Sequence, residues 1–124
     1  MGNPHCVIFI DGKTMDYAVK YGPEIEKHPY FPEKTNTEFV RIISKSEVEM
    51  SVYERGCGIT LACGTGACAT VVSSVLNNLT ENKVRVNLPG GAVTVEWQGS
   101  QTNKNEHVFM TGPATYSFVA DYLL

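Results

Sequence analysis

Gly64-Thr65-Gly66-Ala67-Cys68-Ala69-Thr70-Val71-Val72-Ser73-Ser74-Val75-Leu76 opens on two glycines and continues through small and apolar residues on nearly every side of a helical wheel. A helix that is apolar all round is normally buried, so the fold is expected to be built around this segment. Its neighbours indicate what surrounds it. Upstream, residues 39–44 and 48–54 read as strands, the second alternating Val48, Met50, Val52 as a strand with one buried face does. Downstream of a polar break at Thr80-Glu81-Asn82, residues 84–88 and 93–97 flank Pro89-Gly90-Gly91 and read as a hairpin with a glycine turn.

The outer parts of the chain fit the same scheme. An apolar run at 6–10 ends at Asp11-Gly12 and reads as a buried strand followed by a turn. Residues 15–28 read as a short helix, a break at Gly22-Pro23, and another turn or two. Residues 30–36 read as a loop, and residues 108–111 and 116–122 as two last strands separated by Gly112-Pro113. The fold class is α+β: short, mostly antiparallel strands around one buried helix. No linker, low-complexity tract or internal repeat divides residues 1–124, and that length matches a single domain.

Composition narrows the function. With 43% hydrophobic and 19% charged residues the chain is an ordinary globular sequence. Its formal net charge is −3 and its lysines are scattered, so no basic stripe could neutralise a run of phosphates, and nucleic acid is not expected as a partner. The apolar runs fall short of the roughly 20 residues that a membrane-spanning helix requires. Met1-Gly2-Asn3-Pro4-His5 has neither the charged nor the apolar region of a secretory signal, so a cytoplasmic location is expected. In that reducing compartment Cys6, Cys57, Cys63 and Cys68 are expected to be free thiols.

Chemistry concentrates in Tyr53-Glu54-Arg55-Gly56-Cys57-Gly58 and Ala62-Cys63-Gly64-Thr65-Gly66-Ala67-Cys68-Ala69. Cys63 falls at the helix entrance, where the dipole and the unpaired N–H groups of the first turn favour thiolate over thiol. The same N–H groups can receive a carboxylate, and the glycines allow a ligand close to the backbone. Gly64-x-Gly66-x-x-Ala69 formally fits a dinucleotide fingerprint, but that requires a parallel βαβ unit and an acidic residue about 20 positions on, where residues 83–89 hold no acid. Cys63 and Cys68 have a loose zinc-ligand spacing, yet no second Cys or His pair completes a set, so no metal is expected.

Met1-Gly2-Asn3-Pro4-His5, Tyr53-Glu54-Arg55-Gly56, the block from Ala62 to Ala69, Leu88-Pro89-Gly90-Gly91 and Met110-Thr111-Gly112-Pro113-Ala114 together resemble the diaminopimelate epimerase family, in its order and at compatible spacing. The resemblance is to the second half of such an enzyme. It implies that residues 1–124 are one C-terminal lobe, a barrel-like sheet around a central helix, and that an N-terminal lobe facing it across a cleft is absent from this chain. A fragment or one half of a split protein is therefore expected.

The resemblance further implies cofactor-independent epimerisation of LL-2,6-diaminopimelate to its meso form, serving lysine and peptidoglycan synthesis, with neither pyridoxal phosphate nor metal. Inverting an α-carbon requires a base on one face and an acid on the other, so one cysteine cannot suffice and the isolated chain is expected to be inactive. By resemblance Cys63, Glu54 and His5 are catalytic, and Asn3, Asn36, Glu54, Arg55, Gly64 and Thr65 bind substrate. Arg55 suits a bidentate grip on a carboxylate, Glu54 an ammonium group or the thiol, and the N–H groups of Gly64 and Thr65 the α-carboxylate. Against these stand plainer roles: a surface ion pair for Glu54 and Arg55, and a satisfied strand histidine for His5. Ile59 departs from the family, where an acidic residue is usual. Two alternatives accompany this reading: a non-catalytic binding or structural lobe, which could pair with itself as a homodimer, and a related cofactor-independent amino-acid racemase.

Overall fold

A computed structural model of the chain describes residues 1–123. One mixed sheet carries a helix on each face. Its strands are β1 (His5–Phe9), β2 (Asn36–Ser44), β3 (Glu47–Glu54), β4 (Gly58–Thr60), β5 (Lys83–Leu88), β6 (Gly91–Trp97) and β7 (Val108–Thr111), in the order β1-β2-β3-β5-β6-β7, with β4 paired to β3. Two pairings, β1 with β2 and β3 with β5, are parallel, and the others are antiparallel. Each parallel pair is bridged by a helix: α1 (Thr14–Glu26) between β1 and β2, and α2 (Gly64–Leu76) between β3 and β5. A parallel connection needs such a crossover, because a tight turn can join only antiparallel strands.

The helix α2 is embedded as its composition predicts. No residue from Gly66 to Leu76 is exposed, and α2 touches every strand except β4. Its Ala67 and Val71 meet Val40, Met50, Val52, Val84, Val86 and Val95 in the core. These inward residues are mostly β-branched, which suits a pleated surface, and each buried valine contributes roughly 1.5–3 kcal/mol. The sheet curls around α2 without closing: among the described residues β1 and β7 are not hydrogen-bonded to each other, so the expected barrel is open.

The opposite face of the sheet takes α1, which packs on β2 and β3. The expected break at Gly22-Pro23 is absent, and α1 runs on through Pro23. Proline costs the helix the bond to the carbonyl four residues back. That residue is Val19, 60% exposed, whose carbonyl can turn to water. Gly22 has a packing role instead: a Cβ there would lie 2.5–2.6 Å from Cβ, Cγ and Cδ2 of Tyr53, so α1 approaches β3 only with glycine at this point.

Two further expectations change. The strand β2 starts at Asn36, inside the stretch read as loop, because it pairs with β1 from His5 onward. Residues 116–122 form no strand: Tyr116, Phe118, Val119 and Tyr122 are 79–96% exposed. Their alternation has no partner strand or apolar face to settle on among the described residues. Met110 of β7 and Leu61 are also exposed and leave an apolar surface near the entrance of α2, whereas Phe109, exposed too, faces the other side of β7 beside Lys83 and Glu96.

Candidate functional site

Cys63 is the N-cap of α2. Its backbone is extended, at φ −142° and ψ 106°, and its Sγ accepts a hydrogen bond from the Gly66 N–H at 3.3 Å. Thr65 Oγ1 lies 3.6 Å from the same sulfur. Sulfur thus occupies the place that a serine or aspartate oxygen usually takes at a helix start. Gly64 and Thr65 are exposed, and their N–H groups, first in the helix, have no intrahelical acceptor. The expected preference for thiolate is nevertheless outweighed. Burial pushes the Cys63 thiol above its ordinary range, against the downward pull of the Thr65 and Gly66 bonds, and the carboxylates of Glu54 and Glu38 push it further up.

From Cys63 a chain of polar contacts runs into the protein. Asn3 Nδ2 donates to Thr65 Oγ1 at 3.2 Å, and Asn3 Oδ1 meets His5 Nε2 at 3.2 Å. His5 Nδ1 is 2.7 Å from Oε1 of Glu38. The side chain of His5 is 5% exposed and that of Glu38 is fully enclosed. Burial raises the Glu38 carboxyl above the ordinary carboxylate range, more than its bond to His5 and the charge of His5 lower it. A Cβ on Gly66 would lie 2.8 Å from Glu38 Oε1 and 3.2 Å from Cys63 Sγ, so sulfur and carboxyl converge on the space that this glycine leaves free. Among the described residues, the hydrogen bonds that connect His5 to Cys63 run through Asn3 and Thr65.

The turn after β3 holds the second group. Gly56 and Gly58, at φ +77° and +82°, adopt left-handed backbone that other residues rarely take, and they fold β4 back on β3 so that Glu54 faces Gly58. Glu54 Oε1 accepts from Thr60 Oγ1 at 2.5 Å and makes no ion pair with Arg55 among the described residues. Arg55 is exposed, and its Nη1 donates to the Glu33 carbonyl at 3.2 Å. Asn36 is buried and acts as a bracket: its Nδ2 donates to the Pro4 carbonyl at 2.9 Å and its Oδ1 accepts from the Arg55 N–H at 3.0 Å. Glu26, buried at the end of α1, accepts from the Gly56 N–H at 2.7 Å.

Asn3, His5, Thr65 and Cys63 thus form one connected group, with Asn36, Glu54 and Arg55 grouped about the adjoining turn. Beside Cys63 an open hollow of about 240 Å³ is lined by Ala62, Gly64, Ala67, Leu88, Val93 and Met110. Glu38 and Glu26 belong to the site's support and carry no expectation from sequence. For Glu38 a signal was present: it shares a strand face with Asn36 and Val40, where an acid is out of place. For the other cysteines, Cys57 is exposed, while Cys6 and Cys68 are half-buried thiols raised chiefly by burial.

Comparison with known proteins shows the family and the fold. The family model described as Diaminopimelate epimerase matches residues 1–117. The diaminopimelate epimerase of Desulfitobacterium hafniense is 56% identical over 119 residues, covering 95% of this chain and 40% of its own length. That of Heliobacterium modesticaldum is 52% identical over 118 residues, covering 95% and 41%, and that of Rippkaea orientalis is 48% identical over 124 residues, covering 100% and 43%. The chain therefore spans about 40% of the length of these curated relatives. Among solved structures, a phenazine biosynthesis PhzC/PhzF protein from Clostridium difficile superposes with a TM-score of 0.57 at 21% identity, over 77% of this chain and 34% of the other. A PhzF-family protein from Bacillus anthracis gives 0.55 at 19% identity, over 89% and 34%. At those identities the likeness is one of fold. On the family match and the identities together, this chain belongs to the diaminopimelate epimerase family.

Proposed function

We propose that this chain is one lobe of a cofactor-independent epimerase acting on 2,6-diaminopimelate, and that Cys63 is the acid or base on one face of the substrate's α-carbon. The observation that carries the reading is a cysteine at the N-cap of α2, with Gly66 N–H and Thr65 Oγ1 beside its sulfur and the N–H groups of Gly64 and Thr65 unclaimed within the helix. A proton leaves the α-carbon to a base on one face, the charge passes into the α-carboxylate, and an acid on the other face returns a proton with inverted stereochemistry. Gly64 and Thr65 receive the carboxylate, Arg55 and Glu54 engage the substrate's other charged groups, and Asn3 and Asn36 line the approach.

The second acid or base comes from the remainder of the protein, an N-terminal lobe absent from these 124 residues. Leu61 and Met110, exposed beside Cys63 and Gly64, form the apolar surface on which it docks. The test is solvent deuterium exchange at the substrate α-carbon by the complete protein. Wild type exchanges both stereoisomers, and Cys63→Ala loses exchange by at least about a hundredfold, the usual range for a positioned acid–base group. Undiminished exchange by Cys63→Ala would remove Cys63 from the mechanism. The same apolar surface would serve self-pairing in a non-catalytic lobe, and a dimer of the isolated chain that binds no diamino acid would favour that reading.

A further inference from the structure

Glu38 is a buried ionisable group to which the proposed mechanism gives no task. Its carboxyl is fully enclosed, Oε1 meets His5 Nδ1 at 2.7 Å, and Oε2 has no hydrogen-bond partner among the described residues. Enclosing a carboxyl in this way is costly unless it is paired or neutral, and a valine would suit this core face better.

The contacts between Glu38 and Cys63 constrain one another. An amide offers an acceptor on one side and a donor on the other, and a neutral imidazole has one of each. With Asn3 Oδ1 toward His5 Nε2, the imidazole must donate there. Asn3 Nδ2 then donates to Thr65, and the Thr65 hydroxyl proton is free to point at Cys63 Sγ. His5 Nδ1 can now meet Glu38 only through a proton lying between the two. Turning the Asn3 amide over reverses every bond. Nε2 accepts, Nδ1 donates to an ionised Glu38, the Thr65 hydroxyl donates to Asn3, and Cys63 donates S–H to Thr65. The two arrangements hold the same number of protons. In the first the sulfur is a thiolate and the proton sits between His5 and Glu38; in the second the sulfur keeps it.

We propose that Glu38 is a positioning residue that, through His5, Asn3 and Thr65, sets the ionisation of Cys63. One proton leaves the sulfur as one is bound between Nδ1 and Oε1, so the net charge of the cluster is unchanged. This rests on the reading of Cys63 as the acid or base. The titratable groups facing Glu38 are His5 from β1, Glu54 from β3, and Cys63 at the cap of α2, while Cys6 lies on the other face of β1 and feels the charge of Glu38 from there. Constant net charge is what makes a thiolate tolerable beside Glu54.

The test is the pH dependence of Cys63 alkylation by iodoacetamide in the complete protein, resolved by peptide mass spectrometry, for wild type and Glu38→Gln. Glutamine can satisfy either tautomer of His5 but cannot hold the extra proton. Coupled groups titrate in two steps, so wild type gives a broad two-step profile and Glu38→Gln a single step. In α-proton exchange, kcat of the variant falls about 10- to 100-fold while KM stays within about twofold, because an enclosed carboxyl cannot touch substrate. Superimposable alkylation profiles would overturn the proposal. Should Glu38→Gln not fold, Cys63→Ser in an otherwise native protein serves instead. Serine stays protonated, so the pair gives up its proton and the imidazole ¹⁵N pattern of His5 differs from wild type; an identical pattern overturns the coupling. If wild type exchanges no α-hydrogen of diaminopimelate, the epimerase reading fails. The alkylation and imidazole measurements need no substrate and judge Glu38 separately.

Discussion

Replacing Gly66 with alanine probes the point where helix, sulfur and buried carboxyl meet. In a helix, alanine is favoured over glycine by about 1 kcal/mol. Here the new Cβ would lie 2.8 Å from Glu38 Oε1, 3.2 Å from Cys63 Sγ and 3.3 Å from Cys63 Cβ. Glu38 is fully enclosed and cannot swing aside, so overpacking costs about 1–3 kcal/mol and reverses the gain. Gly66→Ala is therefore expected to destabilise the chain by up to about 2 kcal/mol. In a Glu38→Ala background the nearest oxygen is gone, and the same substitution should be neutral or stabilising by up to about 1 kcal/mol. The difference is a coupling of about 1–3 kcal/mol, within the range for residues in contact. Urea unfolding followed by fluorescence measures it, because Trp97 is the single tryptophan and is 2% exposed in the fold. With a slope of about 1–3 kcal/mol per molar urea, a 2 kcal/mol loss moves the midpoint by on the order of 1 M. Equal cost in both backgrounds would refute the reasoning, since the clash would not then involve Glu38.

Gly22→Ala drives a Cβ to within 2.6 Å of three Tyr53 atoms close to the β3 backbone, and should lower stability by about 1–3 kcal/mol despite better helix propensity. Calorimetry should show a fall of several degrees, and an unchanged Tm would mean that α1 is not seated as described. Asn36→Ala removes the ties to Pro4 and Arg55, with an expected cost of about 1–3 kcal/mol for the groups left unsatisfied. Amide exchange at Arg55 should accelerate, and retained protection would count against the bracket. The Glu38 carboxyl is raised in the fold from an ordinary value of 4.5, so the folded state holds its proton more tightly than the unfolded chain does. Its stabilising contribution is complete below that ordinary value and is lost as pH rises through the raised one. Glu38→Gln, which does not titrate, should thus gain on wild type as pH rises above that ordinary value of 4.5; a gain that shrinks with rising pH would contradict the direction.

Features that depend on nearby residues were legible in the sequence. The helix α2 and its cysteine entrance follow from a run of small and apolar residues after glycine, and the β5–β6 hairpin from alternation about Pro89-Gly90. Features that depend on distant partners were not. The strand β4 is three residues long, too short for alternation to register. Pro23 looked like a break because whether its missing bond matters depends on where Val19 faces. The segment from 116 to 122 alternates like a strand, but pairing needs a neighbour that the described residues do not supply. Burial, likewise, is not written beside Cys63, and it reverses the direction in which the helix end alone would move that thiol.

The grouping of the site follows from topology more than from any one motif. In the parallel β1–β2 register His5 faces Asn36 and Val7 faces Glu38, which puts His5, Asn36 and Glu38 on the face that α2 covers. The crossover helix α1 makes that parallel pairing possible, and the antiparallel β2–β3 pairing, Glu38 against Val52, brings Glu54 to the same end of the sheet. A slip of one residue between β1 and β2 would turn Glu38 to the α1 side and put Thr37 or Phe39 under Gly66, because side chains alternate with a period of two. The Asn36 amide resists that slip, since it ties Pro4 before β1 to Arg55 after β3. Its role in register therefore precedes any role with substrate: the bracket that aligns β1, β2 and β3 also brings His5 and Glu38 together behind Cys63.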